Sequence, residues 1–274
     1  MTMMHAALLG IIQGLTEVLP ISSSAHLILI PRFLGWPESG LTFDVALHLG
    51  TFMALAIYFR RDIVDLAANF SSGLKQGRFR TPAARLPLYL IAGTIPAAIF
   101  GKTLEKPIEE LFRHSPLLIA GFLIGFGLLL GFADTVGQKR WKLDRITLKS
   151  ALIIGIAQCL ALCPGVSRSG ITITAALLLG FNRESAARFS FLLSLPIVAG
   201  AALLKVGHLM RSGIPVGEGG ILLVGIVTSA FFGYFSVAFL LKLVQRRSLY
   251  PFVWYRVVAG IGFIASILLV RQGG

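Results

Sequence analysis

Six long apolar runs constrain the fold of this chain more than any other feature of its sequence. They cover residues 43–59, 86–101, 116–133, 189–204, 221–241 and 251–270. Each is close to the roughly 20 residues that a helix needs to cross a bilayer. The chain is 55% hydrophobic and 14% charged, whereas a soluble domain is about a quarter charged. The sequence therefore predicts an all-α integral membrane protein.

Two further apolar stretches, residues 6–30 and 151–181, are interrupted in the middle. The first breaks at Pro20 and the second at Pro164, and a serine cluster follows each break. Proline ends a helix, and the backbone groups it frees at membrane depth must be buried in protein or line a wet cavity. We therefore expect two re-entrant, broken helical hairpins.

The chain also repeats itself. Residues 10–24 align without a gap with residues 155–169, 145 positions later, so that Gln13 matches Gln158 and the two serine clusters coincide. Shorter matches continue in the same order, Gly93 with Gly225 among them. We predict a single membrane domain, 1–274, made of repeat one (about 1–134) and repeat two (about 150–270), each one broken hairpin plus three transmembrane helices.

Three crossings per repeat require that the second repeat enter the membrane inverted. Loops 60–85, 134–149 and 242–250 carry 6, 5 and 3 basic residues, and the opposite loops 102–113 and 205–215 carry 3 and 2. By the positive-inside rule the first three are cytoplasmic and both termini face outward. Topology and anionic membrane lipids thus explain the net charge of +13 better than a nucleic-acid partner. Residues 1–9 contain no Lys or Arg, so we expect the N-terminus to belong to the mature protein.

Two charged residues lie within the interrupted stretches. Glu17 is the only acidic residue among the first 37, and Arg168 is the only charge between Lys149 and Arg183. An ion inside the membrane indicates a functional site unless the two merely pair with each other. Gln13 lies one helical turn before Glu17, so both project from one face of the first helix.

Hydroxyl groups cluster next to both charges. They belong to Ser22, Ser23, Ser24, Ser167, Ser169, Thr172 and Thr174. Each cluster lies where the second half of a hairpin should begin, at the positive end of a helix dipole, and two such ends meeting near the midplane form an anion site. His26 follows Ser22 by four residues and Ser23 by three, so it could act as general base for a serine nucleophile or as acid for the leaving group.

A phosphoanhydride fits these groups if a divalent cation bridges it to Glu17. Mg²⁺ takes one or two carboxylates plus substrate phosphates, and Ca²⁺ uses similar oxygen ligands. The Arg168 guanidinium suits phosphate oxygens. Asp44 and His48, one turn apart, either line the same cavity or mark the interfacial end of a helix, and we favour the second interpretation.

The motifs resemble those of a known family, the undecaprenyl-diphosphate phosphatases of bacteria, also described as bacitracin-resistance proteins. Residues 13–17, Gln-Gly-Leu-Thr-Glu, are similar to the family's (E/Q)xxxE motif, and residues 164–172 are similar to PGxSRSxxT. The resemblance spans essentially the whole chain. It implies inverted repeats with re-entrant helices around a pocket that opens to the periplasmic side of the bacterial inner membrane. It also implies metal-dependent hydrolysis of a C55 polyprenyl diphosphate to the monophosphate. This reaction recycles the lipid carrier for peptidoglycan and other wall polymers.

The resemblance also implies roles for single residues. Glu17 is the catalytic, metal-linked acid, Arg168 the diphosphate clamp, and His26 the acid/base residue. The phosphate-contacting hydroxyls are those of Ser22, Ser23, Ser24, Ser167, Ser169 and Thr172, with Ser23 the favoured nucleophile. Some members have glutamate at the position of Gln13, so we expect Gln13 to ligate neutrally or to shape the pocket. A secondary transporter or lipid flippase using the same anion site is the alternative. The choice of metal, attack by serine or water, and a homodimer stay open.

Overall fold

The computed structural model describes residues 1–37, 39–75, 77, 79–113, 115–212 and 218–272. Within these ranges the chain is all helical. The helices are α1 (Met3–Val18), α2 (Ser23–Leu34), α3 (Leu41–Tyr58), α4 (Arg60–Lys75), α5 (Pro82–Arg113), α6 (Pro116–Val136), α7 (Leu148–Gln158), α8 (Arg168–Leu178), α9 (Arg183–Ser212), α10 (Gly219–Arg246) and α11 (Tyr250–Gln272). Short 3₁₀ turns cover Leu143–Arg145 and Cys159–Leu162.

Both breaks predicted from the prolines are present. Helix α1 ends at Val18 and α2 begins at Ser23, and α7 passes through a 3₁₀ turn before α8 begins at Arg168. The residues that precede α2 and α8, Ser22 and Ser167, both adopt positive φ angles, 73° and 72°. This conformation is strained for a residue with a side chain. The serine clusters therefore begin the second helix of each pair, as the sequence predicts.

Four helices in the described part of the chain are long and apolar enough to cross a membrane. Their apolar segments are Pro82–Leu104, Pro116–Val136, Gly219–Arg246 and Tyr250–Leu269. Helices α3 and α4, which meet at a bend of 72°, form a fifth candidate if the pair is one span. The sixth predicted run, residues 189–204, lies inside α9.

Three predicted loops are largely helical instead, and residues 205–212 of the third belong to α9. Most of loop 60–85 forms α4, whose Leu66 side chain packs against the main hydrophobic core while Val64 and Leu74 stay exposed. Loop 102–113 continues α5 as helix to Arg113. Short amphipathic helices carry too little hydropathy to stand out beside transmembrane runs. Residues 213–215 of the predicted loop 205–215, like residues 273–274 of the predicted domain, lie outside the described residues.

The broken helices lie close against long helices through glycines. A Cβ added at Gly10 of α1 would lie 2.9 Å from the carbonyl oxygen of Gly225 in α10. A Cβ added at Gly155 of α7 would lie 2.1 Å from the carbonyl oxygen of Gly93 in α5. Small residues allow such backbone contact between membrane helices. These contacts hold α1 against α10 and α7 against α5.

Candidate active site

The end of α1 meets the start of α8 through an ion pair. Arg168 Nη2 lies 2.9 Å from Glu17 Oε1, and the side chains are 18% and 9% exposed. Glu17 occupies the last turn of α1 and Arg168 is the first residue of α8, so the pair joins the two broken stretches. The pairing that the sequence suggested between these two residues is therefore present. Further polar groups surround it.

The second oxygen of Glu17 faces the start of α2. Ser23 Oγ donates a hydrogen bond to Glu17 Oε2 at 2.5 Å, and Gln13 Nε2 lies 3.4 Å from the same oxygen. A hydroxyl in short contact with a carboxylate can transfer its proton as it attacks an electrophile. The contact therefore places a hydroxyl and a carboxylate in the arrangement that a serine nucleophile and its base require.

Glu17, Ser23 and Arg168 line a cavity of about 430 Å³. Its polar residues are Glu17, Ser23, Ser24, Asp44, His48, Gln158, Ser167 and Arg168. Its apolar residues are Val45, Ala97, Ala161, Leu162, Pro164, Ile197, Val198 and Ala201. Buried Arg168 Nη1 has no hydrogen-bond partner among the described residues. A free guanidinium donor beside an apolar wall suits a ligand with an anionic head and a hydrocarbon tail.

Of the other predicted hydroxyls, Ser24 and Ser167 line this cavity, whereas Ser22, Ser169 and Thr172 are not among its lining residues. Ser167 Oγ accepts a hydrogen bond from the Gly170 amide at 3.1 Å and caps α8, and Ser169 Oγ donates to the Leu19 carbonyl at 3.1 Å. Thr172 Oγ1 donates to the Arg168 carbonyl at 2.8 Å and lies 2.6 Å from Ser190 Oγ. Ser22 Oγ lies 3.2 Å from Ser24 Oγ. Ser22, Ser169 and Thr172 are almost fully buried.

The structure places the imidazole of His26 away from the Ser23 hydroxyl. Nδ1 lies 2.7 Å from the Ser22 carbonyl oxygen, and Nε2 lies 2.8 Å from the Tyr255 hydroxyl. The residue is 2% exposed and does not contribute to the lining of the cavity. These contacts connect the start of α2 to α11. The acid/base role that the sequence suggests for His26 stays a prediction.

Asp44 and His48 line the cavity, so the preferred interpretation of them as markers of a helix end is wrong. His48 Nε2 lies 3.7 Å from Glu17 Oε2, and Nδ1 lies 2.9 Å from the Asp44 carbonyl oxygen. Ser39 Oγ donates to Asp44 Oδ1 at 2.6 Å. The one-turn spacing identified their common face, but only the packing of α3 against α1 shows that this face points at Glu17.

Arg256 is a functional candidate that the sequence interpretation missed. It is 0% exposed, and its guanidinium donates to the carbonyls of Pro20, Leu123, Gly165 and Val166 at 2.8–3.2 Å. One side chain of α11 thus holds the loops at both breaks. A lone arginine within the apolar run 251–270 was a usable signal, because a charge inside a membrane span indicates function.

The cavity also offers oxygen ligands for a divalent cation. The carboxylates of Glu17 and Asp44 line it. The amide oxygen of Gln13, beside Glu17, is buried without a hydrogen-bond partner in the described part of the chain. Mg²⁺ and Ca²⁺ accept such carboxylate and amide oxygens together with phosphate oxygens. The described residues contain no cluster of three His, Cys, Asp or Glu side chains that could hold a metal ion.

The fold and the site together define a multi-pass membrane protein with a buried, charged cavity at the junction of two broken helices. Residues 6–262 match the family described as bacitracin resistance protein BacA. The chain belongs to this family.

Relatives of high similarity carry one name. The undecaprenyl-diphosphatase of Geobacter metallireducens is 70% identical over 267 residues, which cover 97% of this chain and 99% of the relative. That of Geobacter sulfurreducens is 67% identical over 271 residues, 99% of this chain and 100% of the relative. The more distant undecaprenyl-diphosphatase of Moorella thermoacetica is 51% identical over 272 residues, 99% of this chain and 100% of the relative.

Proposed function

We propose that this chain hydrolyses undecaprenyl diphosphate to undecaprenyl phosphate and inorganic phosphate, and so recycles the lipid carrier for wall polymers. The names and near full-length identity of its relatives support this activity. The structural observation that supports this activity is the junction at Glu17, where one carboxylate contacts both Arg168 and the Ser23 hydroxyl. A carboxylate, an arginine and a serine in one cavity are groups that phosphoryl transfer uses.

The cavity matches the two parts of the substrate. Arg168 binds the diphosphate with the guanidinium nitrogen that Glu17 leaves free, and the start of α8 adds backbone N–H groups at a positive helix end. The apolar residues Ala97, Ile197 and Val198 face the same space. They accept the first prenyl units, and the rest of the chain lies between helices in the bilayer.

Ser23 attacks the terminal phosphorus. Its Oγ forms the new P–O bond, its proton passes to Glu17, and the bond from phosphorus to the bridging oxygen breaks. The electron pair leaves with undecaprenyl phosphate. The oxygen of a water molecule then bonds to the phosphorus of the phosphoserine, the bond from phosphorus to Ser23 Oγ breaks, and the proton held by Glu17 returns to Oγ as phosphate is released. The 2.5 Å contact between Ser23 and Glu17 supports Glu17 as the base, and the contacts of His26 support a role in holding the Ser22 backbone.

The proposed reaction requires a divalent cation as a cofactor. Glu17 and the amide oxygen of Gln13 would hold Mg²⁺ or Ca²⁺, since the carboxylate lines the cavity and the amide oxygen beside it is unpaired among the described residues. The cation supplies positive charge that offsets the repulsion between the diphosphate and Glu17. The protein residues orient the ligand and the Ser23 hydroxyl around it.

The two halves form an inverted repeat in this proposal. The glycine contact of α1 with α10, at Gly10 and Gly225, has a counterpart in the contact of α7 with α5, at Gly155 and Gly93. These are the glycine pairs that the duplication equates. The matching φ angles of Ser22 and Ser167 support the same relation. The re-entrant hairpins then enter from opposite sides, and the cavity opens to the periplasmic side.

A transporter with the same anion site would bind the lipid without a nucleophile. The deciding experiment is therefore Ser23→Ala, with Ser236→Ala as the control, because Ser236 is a buried serine outside the cavity whose hydroxyl donates to the Phe232 carbonyl at 2.8 Å. We expect Ser23→Ala to bind undecaprenyl diphosphate as wild type does and to lose phosphate release, while Ser236→Ala retains most of it. Unchanged hydrolysis in Ser23→Ala would contradict the assigned nucleophile. Binding without hydrolysis in the wild type would favour the transporter.

A further inference from the structure

Gln158 is a buried amide whose hydrogen-bonding atoms are both unused. It is the last residue of α7 and is 3% exposed. Neither Nε2 nor Oε1 has a hydrogen-bond partner among the described residues. Leaving buried polar atoms unpaired is costly, and a side chain of similar size without polar atoms would avoid that cost. A glutamine at this position is therefore unfavourable for the protein without a ligand.

The unpaired amide faces the cavity that holds Glu17 and Arg168. Gln158 is one of its lining residues. The duplication equates Gln158 with Gln13, whose amide oxygen is also buried and unpaired in the described part of the chain. Gln13 uses its nitrogen on Glu17, whereas Gln158 keeps both atoms available. Of the two equivalent amides, only Gln158 therefore offers an unused donor to a ligand.

We propose that Gln158 is a substrate-contacting residue of this site. Its Nε2 donates a hydrogen bond to an oxygen of the diphosphate, and its Oε1 accepts one from a water molecule bound against the same phosphate. The inference rests on the proposed function and extends it to a residue from the second half of the chain. The amide adds a donor without adding charge beside the Glu17–Arg168 pair, which a glutamate at this position would disturb.

The test compares Gln158→Leu, Gln158→Glu and a control, Ser229→Ala, in purified full-length protein with Mg²⁺ present throughout. Ser229 is fully buried outside the cavity, and its hydroxyl donates to the Leu47 carbonyl at 2.7 Å. One readout is the unfolding temperature with and without methylenediphosphonate, a diphosphate that cannot be hydrolysed. The second is KM and kcat for undecaprenyl diphosphate.

We expect Gln158→Leu to unfold at a temperature equal to or above that of the wild type without ligand. It should lose most of the stabilisation by methylenediphosphonate and raise KM about tenfold to hundredfold. Gln158→Glu should lose the ligand shift as well, because its carboxylate repels the phosphate. Ser229→Ala should unfold a few degrees lower, by roughly the amount that one lost buried hydrogen bond predicts, and keep both the ligand shift and KM.

A Gln158→Leu variant that unfolds at lower temperature and retains the ligand shift and KM would overturn the inference, since the amide would then stabilise the fold rather than bind substrate. The outcomes distinguish a failure of the Gln158 contact from a failure of the proposed phosphatase activity. Normal hydrolysis by both Gln158 variants would overturn the inference and leave the phosphatase in place. If the wild type releases no phosphate but the Gln158 variants lose the ligand shift, the contact between Gln158 and the diphosphate would be supported and the proposed hydrolysis contradicted.

Discussion

In the proposed mechanism Glu17 has three tasks that usually fall to separate residues. One of its oxygens contacts Arg168 and the other contacts Ser23, so the carboxylate would orient the arginine, accept the serine proton and help to hold the cation. Because its neighbours donate to both oxygens, the carboxylate is held in one position. Removing its charge therefore affects binding and chemistry together.

Substitution of Glu17 by glutamine should lower kcat by about 10³-fold or more, because the amide can neither accept the Ser23 proton nor pair with Arg168. Asp62→Asn is the matched control, since Asp62 also pairs with an arginine, Arg188, but lies outside the cavity. The measurement is phosphate release per folded protein in detergent. A Glu17→Gln variant within tenfold of wild type would contradict the assignment of Glu17 as the base.

Arg256 should contribute more to stability than any exposed arginine of the chain. Arg256→Met removes the donors of four buried carbonyls, among them Pro20 and Gly165 at the two breaks, and should reduce the free energy of unfolding by about 3 kcal/mol or more. Arg247, an exposed arginine at the end of α10, provides the control as Arg247→Met. Equal unfolding temperatures for the two variants would contradict this role.

At the scale of elements, the breaks and the long helices were predictable, and the contacts between elements were not. Pro20 and Pro164 mark the breaks because proline cannot continue a helix, and apolar length marks the crossings. The helical state of α4 escaped prediction because its apolar residues are few. The position of His48 beside Glu17 depends on how α3 packs against α1, which no periodicity within one helix encodes.

The close contact of α7 with α5 makes a separate prediction. Gly155→Ala places a Cβ 2.1 Å from the Gly93 carbonyl oxygen, so the helices must separate, and we expect a loss of about 1–3 kcal/mol in stability. Gly121→Ala in α6 is the matched control, since its Cβ would meet no atom within 4 Å and alanine favours the helix. Thermal unfolding of both variants measures the difference. A Gly155→Ala protein as stable as Gly121→Ala would contradict the contact.

The distribution of basic residues among the loops predicts how the whole molecule is oriented in the membrane. A cysteine at the exposed position Pro37, between α2 and α3, should react with a membrane-impermeant maleimide from outside the cell. A cysteine at the exposed position Gln138, in loop 134–149, should react only after the cytoplasmic side is opened. Both are introduced in a Cys159→Ser, Cys163→Ser background. Labelling of both positions from the same side would contradict the inverted topology.

Hydrolysis of a lipid diphosphate at the junction of the two broken helices, with the help of a divalent cation, can be measured as phosphate release from undecaprenyl diphosphate. The purified protein is assayed with and without EDTA, alongside Glu17→Ala and Arg168→Ala. We predict release that EDTA abolishes, that returns when Mg²⁺ or Ca²⁺ is added, and that each substitution removes. Release that persists in EDTA and in both variants would contradict the proposed site and its cation, and no release by folded wild-type protein would contradict the proposed activity.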